Sequence, residues 1–252
     1  EELTTRLYNE AIAAKMRPFR DGVKGFPRMA RDLARKKKKK IRLKVTGEST
    51  RVDREILSRL EAPLNHLIRN SCDHGIETPA DRIKAGKPDE GVVVLDAAHK
   101  AGMLFITVSD DGRGIHPESV RRKVVEKGLA APEMAASMSE PELMEFLFLP
   151  GFSTAAAITE VSGRGVGLDV VQNMIQEVGG SVRVNSKPGQ GTSFQLQLPL
   201  TLSVLRALIV DIAAQPYAFH LSRVDRLLKV KKEDILLVED RPYIRFDGEN
   251  IG

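Results

Sequence analysis

Three short stretches hold the residues best suited to chemistry: His66-x-x-x-Asn70-x-x-Asp73-His74, Asp110-x-Gly112-x-Gly114 and Gly163-x-Gly165-x-Gly167. An Asn amide oxygen is a hard ligand suited to Mg²⁺, and a His beside it can orient or deprotonate a nucleophile. On a continuous helix residues 66, 70, 73 and 74 share an arc of about 100°, while Leu60, Leu64, Leu67 and Ser71 gather on the opposite side. One face would then be core and the other would meet a ligand. Asp110 ends a strand-like run. Gly112 and Gly114 would let the backbone approach a flat ring while the carboxylate accepts a hydrogen bond from an exocyclic amine such as adenine's. Gly163, Gly165 and Gly167 open a helix-like stretch, where free N–H groups and the helix dipole favour a polyphosphate. Singly, these are a capping histidine, an acidic turn and a hinge. Three in this order read as an ATP site with Mg²⁺.

The elements that must position them follow from periodicity. Residues 3–20 carry Leu3, Leu7, Ile12 and Met16 at helical spacing, with Pro18 ending or kinking the helix. A second helix is predicted over 26–37, running into a lysine-rich end at 36–40 that reads as solvated. Ile41, Leu43 and Val45 alternate as a strand. A helix from Arg54 to about Asp73 is followed by a loop over 74–90, then strands over 92–98 and 103–109. Short helices and Pro-punctuated loops fill 116–162. A helix over 166–178 ends at Gly179-Gly180, and strands follow over 181–185 and 192–198. Phe146, Phe148 and Phe152 in FLFLPGFSTA suit a small core or a lid. The interleaving predicts an α+β fold with helices on one face of a mixed sheet. From Leu200 the texture changes to ALIVDI, YAFHL, LLKVK, ILLVE and YIRF, an incomplete all-β module whose boundary lies near Pro199.

Composition bounds the partners. In 252 residues, 39 basic against 34 acidic side chains leave a formal charge of +5. That balance suits a phosphate-rich ligand without demanding nucleic acid. Five lysines with no aromatic among them lack the stacking partners of a nucleic-acid site. No apolar run approaches the roughly 18 residues needed to cross a bilayer, so no membrane insertion is expected and the location expected is cytoplasmic. The single cysteine, Cys72, excludes an internal disulfide or a multi-cysteine zinc site. The chain opens on Glu1 and stops just after a strand-like segment, which reads as part of something longer.

HLIRNSCDHGIE, SDDGRGI, FLPGFSTA, SGRGVGLDVV and GQGTSFQLQLPLTL resemble, in order, the nucleotide-binding boxes of chemotaxis-type histidine kinases. The resemblance implies a Bergerat-type (GHKL) ATP-binding α/β sandwich, followed by an incomplete SH3-like module. It divides the chain into a dimerisation-helix remnant over 1–18, a catalytic domain over 19–199 and part of a coupling-protein-like regulatory domain over 200–252. It implies transfer of the γ-phosphoryl of Mg-ATP to a histidine. His66 would orient or activate the incoming imidazole, Asn70 would hold Mg²⁺ and Asp110 would read adenine. Asp73 and His74 would support the phosphate end, Lys123 would add charge, and Gly163, Gly165, Gly167 and Thr192 would complete the nucleotide contacts, with Gly112 and Gly114 beside Asp110. Ser119 stands where the family is often basic. Implied partners are a phosphotransfer domain, a response regulator or receiver domain, and a coupling protein with its chemoreceptor. The first histidine in this chain is His66 itself, so the acceptor is expected in trans. A Glu at position 66 would instead suit the hydrolysing ATPases of the same superfamily, and a scaffold would keep the fold without the chemistry.

Overall fold

The computed structural model describes residues 10, 13–152, 167–201, 207–220, 230, 235–238, 241–246 and 249–251. Two compact units divide between Leu202 and Ser203.

The first unit is built on a five-stranded sheet of β2 (Ile41–Thr46), β4 (Gly91–Lys100), β5 (Met103–Asp110), β7 (Gly191–Pro199) and β6 (Ser181–Lys187), in that spatial order. β2 runs parallel to β4 and the remaining pairs are antiparallel, so the sheet is mixed as expected. Period-two alternation decides which face is covered. Ala97, Ile106, Leu196 and Val182 lie in one cross-strand row and are all buried. Burying Ile106, Leu196 and Val182 contributes roughly 1.5–3 kcal/mol each. The alternation in β5 continues through Leu104, Ile106 and Val108 to Asp110, so the carboxylate points to the same side as the core.

That side is covered by helices. The helix α3 (Arg54–Asn70) follows β3 (Arg51–Asp53) and buries Ile56, Leu60, Leu64, Leu67 and Ile68. Its N-cap, Asp53, accepts from Glu55 N at 2.8 Å with one oxygen and from Thr201 Oγ1 at 3.0 Å with the other. The later helix α8 (Leu168–Glu177) buries Leu168, Val171 and Ile175 and packs on α3. Ahead of these lie β1 (Met16–Pro18), α1 (Arg20–Val23) and α2 (Phe26–Lys36). The helix expected to run to Pro18 gives way by Met16, where the chain becomes extended and pairs antiparallel with β3. Steric conflict between a proline ring and the residue before it favours extended backbone there. Leu3, Leu7 and Ile12 lie outside the described residues.

Residues 74–90, expected as a loop, contain the short helix α4 (Pro79–Lys84). Thr78 caps it, accepting from Asp81 N at 3.3 Å, and Pro79 opens it, a start signal present in TPAD. Between β5 and α8, α5 (Pro117–Glu126), α6 (Pro132–Ser137), α7 (Glu140–Glu145) and a 3₁₀ turn at Phe146–Phe148 form a small cluster. Phe148 and Phe152 are buried in it, and the Phe146 and Phe152 rings lie 6.3 Å apart, so the aromatic stretch builds a local core. Of this 146–155 segment, expected as a small core or a lid, residues 153–155 lie outside the described residues.

In the second unit, taken by itself, the described residues form antiparallel strands. β8 (Ala207–Ile212) and β9 (Gln215–His220) form a hairpin. Its turn places Ala213 and Ala214 at φ +51° and +62°. β10 (Ile235–Val238), β11 (Arg241–Phe246) and β12 (Glu249–Ile251) form a three-stranded sheet. Most of the LLKVK segment lies outside the described residues.

Candidate functional site

The site grows from the point where α3 stops. Its α-helical bonding ends at Asn70, and Ser71–Gly75 form one π-helical turn. Such widened turns recur at functional sites because they redirect side chains that α geometry would place elsewhere. Ser71, expected on the core face, is buried and donates from Oγ to Asp110 Oδ2 at 2.8 Å. The other oxygen, Oδ1, accepts from Gly112 N at 3.0 Å and Thr192 N at 3.4 Å. Three segments far apart in the chain thus converge on one carboxylate. Burial pushes the Asp110 carboxyl above the usual carboxylate range, although the bonds from Ser71, Gly112 and Thr192 oppose the shift.

The glycines of the second motif also lie tight against protein backbone. A Cβ on Gly112 would stand 2.2 Å from the carbonyl oxygen of Gly75, and one on Gly114 2.2 Å from that of Lys187. What they make room for is protein backbone: the turn after β5 nests against the π turn on one side and the β6–β7 hairpin on the other. Arg113 N donates to Gly75 O at 3.0 Å, and Gly189 N to Arg113 O at 2.7 Å. Gly191, at φ +113°, would drive a Cβ to 1.8 Å from Asp110 O. The GQGT hairpin is therefore a wall of the site, and Thr192 is part of it.

Beneath this turn lies a charge cluster that sequence reasoning missed. The Arg82 side chain is 1% exposed. It pairs with Glu77 at 3.2 Å and Asp111 at 2.9 Å, and donates to the carbonyls of Pro88, Glu90 and Asp111. Lys87 pairs with Glu77 at 2.9 Å and donates to the carbonyls of Asp111 and Gly112. Asp111 Oδ1 in turn accepts from Val92 N. Burial opposes ionisation of Glu77, but the Lys87 ammonium overcomes it and holds that carboxyl below the usual range.

The His66 end of the site is arranged differently. Asn70 Nδ2 lies 2.9 Å from His66 Nε2. With the amide donating, the imidazole accepts at Nε2 and carries its proton on Nδ1, leaving Asn70 Oδ1 for another partner. Burial lowers the proton affinity of His66, and the Arg69 and His74 charges lower it further against an opposing Asp169. Burial thus favours the neutral imidazole over the cation. Asp169 lies in the first turn of α8, where its carboxylate comes within contact range of Gly167, the helix N-cap. Thus α8 brings the last glycine of the third motif and an acidic residue to the His66 face of α3. Gly163 and Gly165 lie outside the described residues. His74 is exposed on the π turn. The Lys123 ammonium sits over the Phe152 ring, 5.1 Å from its centroid.

The lysine run is not simply a solvated helix end. α2 closes in a Schellman turn, with Lys38 N donating to Arg35 O, Lys39 N to Ala34 O, and Lys38 itself at φ +53°. The reversal aims the half-buried Lys39 back into the molecule, where Nζ donates to Cys72 O at 2.9 Å and Asp73 O at 2.7 Å. Burial, and then the Arg113 charge, lower the Lys39 pKa. Lys37 stands 3.5 Å from Asp73 Oδ1, which gives that oxygen charge compensation without a hydrogen bond. Burial pushes the neighbouring Cys72 thiol up to about 11, so it stays protonated. Among the described residues no cluster of three or more His, Cys, Asp or Glu side chains is arranged to hold a metal, and no helix is long and apolar enough to cross a membrane.

The chain is similar to chemotaxis protein CheA of Bacillus subtilis, with 42% identity over 234 residues that cover 93% of this chain and 35% of that protein. It is also similar to sensor histidine kinase CheAY of Helicobacter pylori, 39% identical over 98% of this chain and 31% of that protein. Chemotaxis protein CheA of Salmonella typhimurium is 42% identical over 91% of this chain and 34% of its own length. This chain therefore spans about a third of the length of these relatives. With residues 58–202 matching the model of the histidine kinase-, DNA gyrase B- and HSP90-like ATPases, over the same elements that assemble the Asp110 and His66 sites, the chain belongs to that family.

Proposed function

We propose that this chain is the kinase core of a chemosensory-type two-component pathway, passing the γ-phosphoryl of ATP to a histidine on a separate phosphotransfer domain. The observation that carries the reading is His66, its Nε2 2.9 Å from Asn70 Nδ2, on the side of α3 next to the start of α8. A base and a positioned amide there suit transfer to an imidazole better than activation of water by a carboxylate. Adenine would be read by Asp110, with Thr192 beside it. The third motif, through Gly163, Gly165 and Gly167, would present backbone N–H groups to the phosphates.

The cation-site chemistry fits Mg²⁺. Asn70 retains Oδ1, and the buried Asp73 Oδ1 lacks a hydrogen bond. Mg²⁺ would supply charge neutralisation to the polyphosphate, and a single amide suits an ion that keeps most of its ligands as water and phosphate oxygen. In the transfer, one nitrogen of the acceptor imidazole forms the N–P bond as the bridging P–O bond breaks and ADP leaves. The proton on its other nitrogen must be removed, and His66 would take it at Nε2 once the Asn70 amide releases that nitrogen. His74 and Lys123 would add charge at the phosphate end. The remaining parts of the reading are a response regulator or receiver domain downstream, a cytoplasmic location, and residues 200–252 as the start of a regulatory domain for coupling protein and chemoreceptor. Residues 1–18 would be the end of a dimerisation helix.

Incubation with Mg-ATP labelled at the γ-phosphate and a phosphotransfer domain of the same pathway tests the reading. Acid-labile, base-stable label on that domain, lost by 10²-fold or more in His66→Ala while ATP still binds, is the expected result. Free phosphate without label would assign an ATPase, and tight ATP binding with neither product a scaffold.

A further inference from the structure

α2 has a second face that the core does not use. Phe26, Ala30 and Ala34 are buried, whereas Gly25, Met29, Leu33 and Lys36 border an open cleft of about 400 Å³ whose wall includes Arg69 of α3. Spacings of four, four and three residues make this a continuous stripe, so the cleft follows the helix for about 16 Å at 1.5 Å per residue. Met29 and Leu33 are half-buried in it, and the Arg28, Lys36 and Arg69 side chains are exposed around it. The acidic residue of the lining, Asp32, lies 3.9 Å from Arg28, so the rim keeps net positive charge. An apolar floor of helical length inside a cationic rim is the shape and charge that receive an amphipathic helix with acidic flanks.

Its position narrows the occupant. The C-terminal end of α2 leads into Lys37 and Lys39, which hold the π turn carrying Asp73 and His74. Arg69 directly precedes Asn70 in the chain and bears electrostatically on His66. The cleft therefore runs up to the phosphate end of the site, where an incoming acceptor must arrive. We propose that this α2–α3 cleft seats an acidic amphipathic helix of the phosphotransfer domain, apolar ridge on Met29 and Leu33 and carboxylates against Arg28, Lys36 and Arg69. The proposal rests on the kinase reading and adds the surface that recognises the acceptor.

Transfer to the phosphotransfer domain of the same pathway, titrated at saturating Mg-ATP, tests it in two variants that leave the proposed catalytic residues intact: Met29→Glu, and Arg28→Glu with Lys36→Glu. The KM for the acceptor should rise about tenfold in each, as loss of an interface anchor or its charge complement does. ATP affinity and kcat at saturating acceptor should stay at wild-type values, and reversing acidic residues on the acceptor helix should restore the KM of the double variant. An unchanged acceptor KM in both variants, with ATP binding intact, overturns the cleft and leaves the kinase reading standing. Wild-type protein that binds ATP yet labels no phosphotransfer domain overturns both. Sedimentation with phosphatidylglycerol vesicles, abolished in the double variant while acceptor KM is unmoved, would assign the cleft to anionic headgroups and also overturn the proposal.

Discussion

The two ends of the candidate nucleotide site are built on opposite terms. Around Asp110 and Asp111 the charges and polar groups answer one another: Ser71, Gly112 and Thr192 on one carboxylate, Arg82 and Val92 N on the other, Lys87 and Glu77 completing the cluster. Around His66 and Asn70 the arrangement is open. Among the described residues, Asp73 Oδ1 is buried without a hydrogen bond, the Asn70 amide oxygen has no recorded partner, and no side chain caps the start of α8. A satisfied polar network is rigid, and an unsatisfied buried group is stabilised when a ligand supplies its partner. Under the proposed reading, the Asp110 end would be preformed for adenine and the His66 end completed by the phosphates.

The strongest way to break this contrast is Arg82→Met. It would leave Glu77 and Asp111 without the guanidinium that compensates them, at a cost of about 3–5 kcal/mol. Denaturant unfolding should show that loss; a stability within 1 kcal/mol of wild type would mean that the network is not what holds the turn. At the adenine contact itself, Asp110→Asn should weaken ATP binding about tenfold or more, equivalent to roughly 1.4 kcal/mol. Its effect on stability runs the other way. The folded-state pKa is raised, so the contribution of Asp110 to stability is fully present below its unfolded pKa and lost as pH rises through the folded value. The ionised carboxylate thus destabilises the fold at neutral pH, and the Asn variant should melt no lower than wild type there, with its relative advantage shrinking in acid. Equal ATP affinity in variant and wild type would sink the adenine assignment.

Smaller effects sharpen the other end. Lys39→Met should cost about 1–2 kcal/mol by stripping the carbonyls of Cys72 and Asp73 of their donor. Faster amide exchange at Ile76, whose N–H closes the π turn onto Ser71 O at 2.8 Å, would locate the loss; unchanged exchange would show that Lys39 does not hold the turn. Lys38→Gly, at φ +53°, should raise stability by about 0.5–1 kcal/mol in thermal unfolding and leave ATP affinity alone, since glycine suits the left-handed cap of a Schellman turn.

Much of the frame was legible because it rests on short-range periodicity. The alternation of Leu104, Ile106, Val108 and Asp110 put a carboxylate on the covered face of a strand before any partner was known. The 3.6-residue repeat separated the His66 face of α3 from its Leu60, Leu64 and Leu67 face. Local punctuation was under-read at Thr78-Pro79, a helix start taken for loop, and at Met16, where the chain turns extended ahead of Pro18. The backbone packed against Gly112 and Gly114 was not legible, because the sequence shows that a Cβ is absent without showing what occupies the space.

The sequence by itself determined the strands, the helix faces and the residues that could bind a nucleotide, because each depends on backbone period or on side-chain chemistry alone. Only the tertiary structure decided which charges are buried and whom they serve. Lys39 reaches carbonyls 33 and 34 residues away, and Arg82 meets Asp111 across 29. In the chain both look like solvated surface cations. A long flexible side chain takes its role from whatever the fold places within its reach, and that depends on chain reversals such as the Schellman turn at Lys38, which local periodicity does not encode.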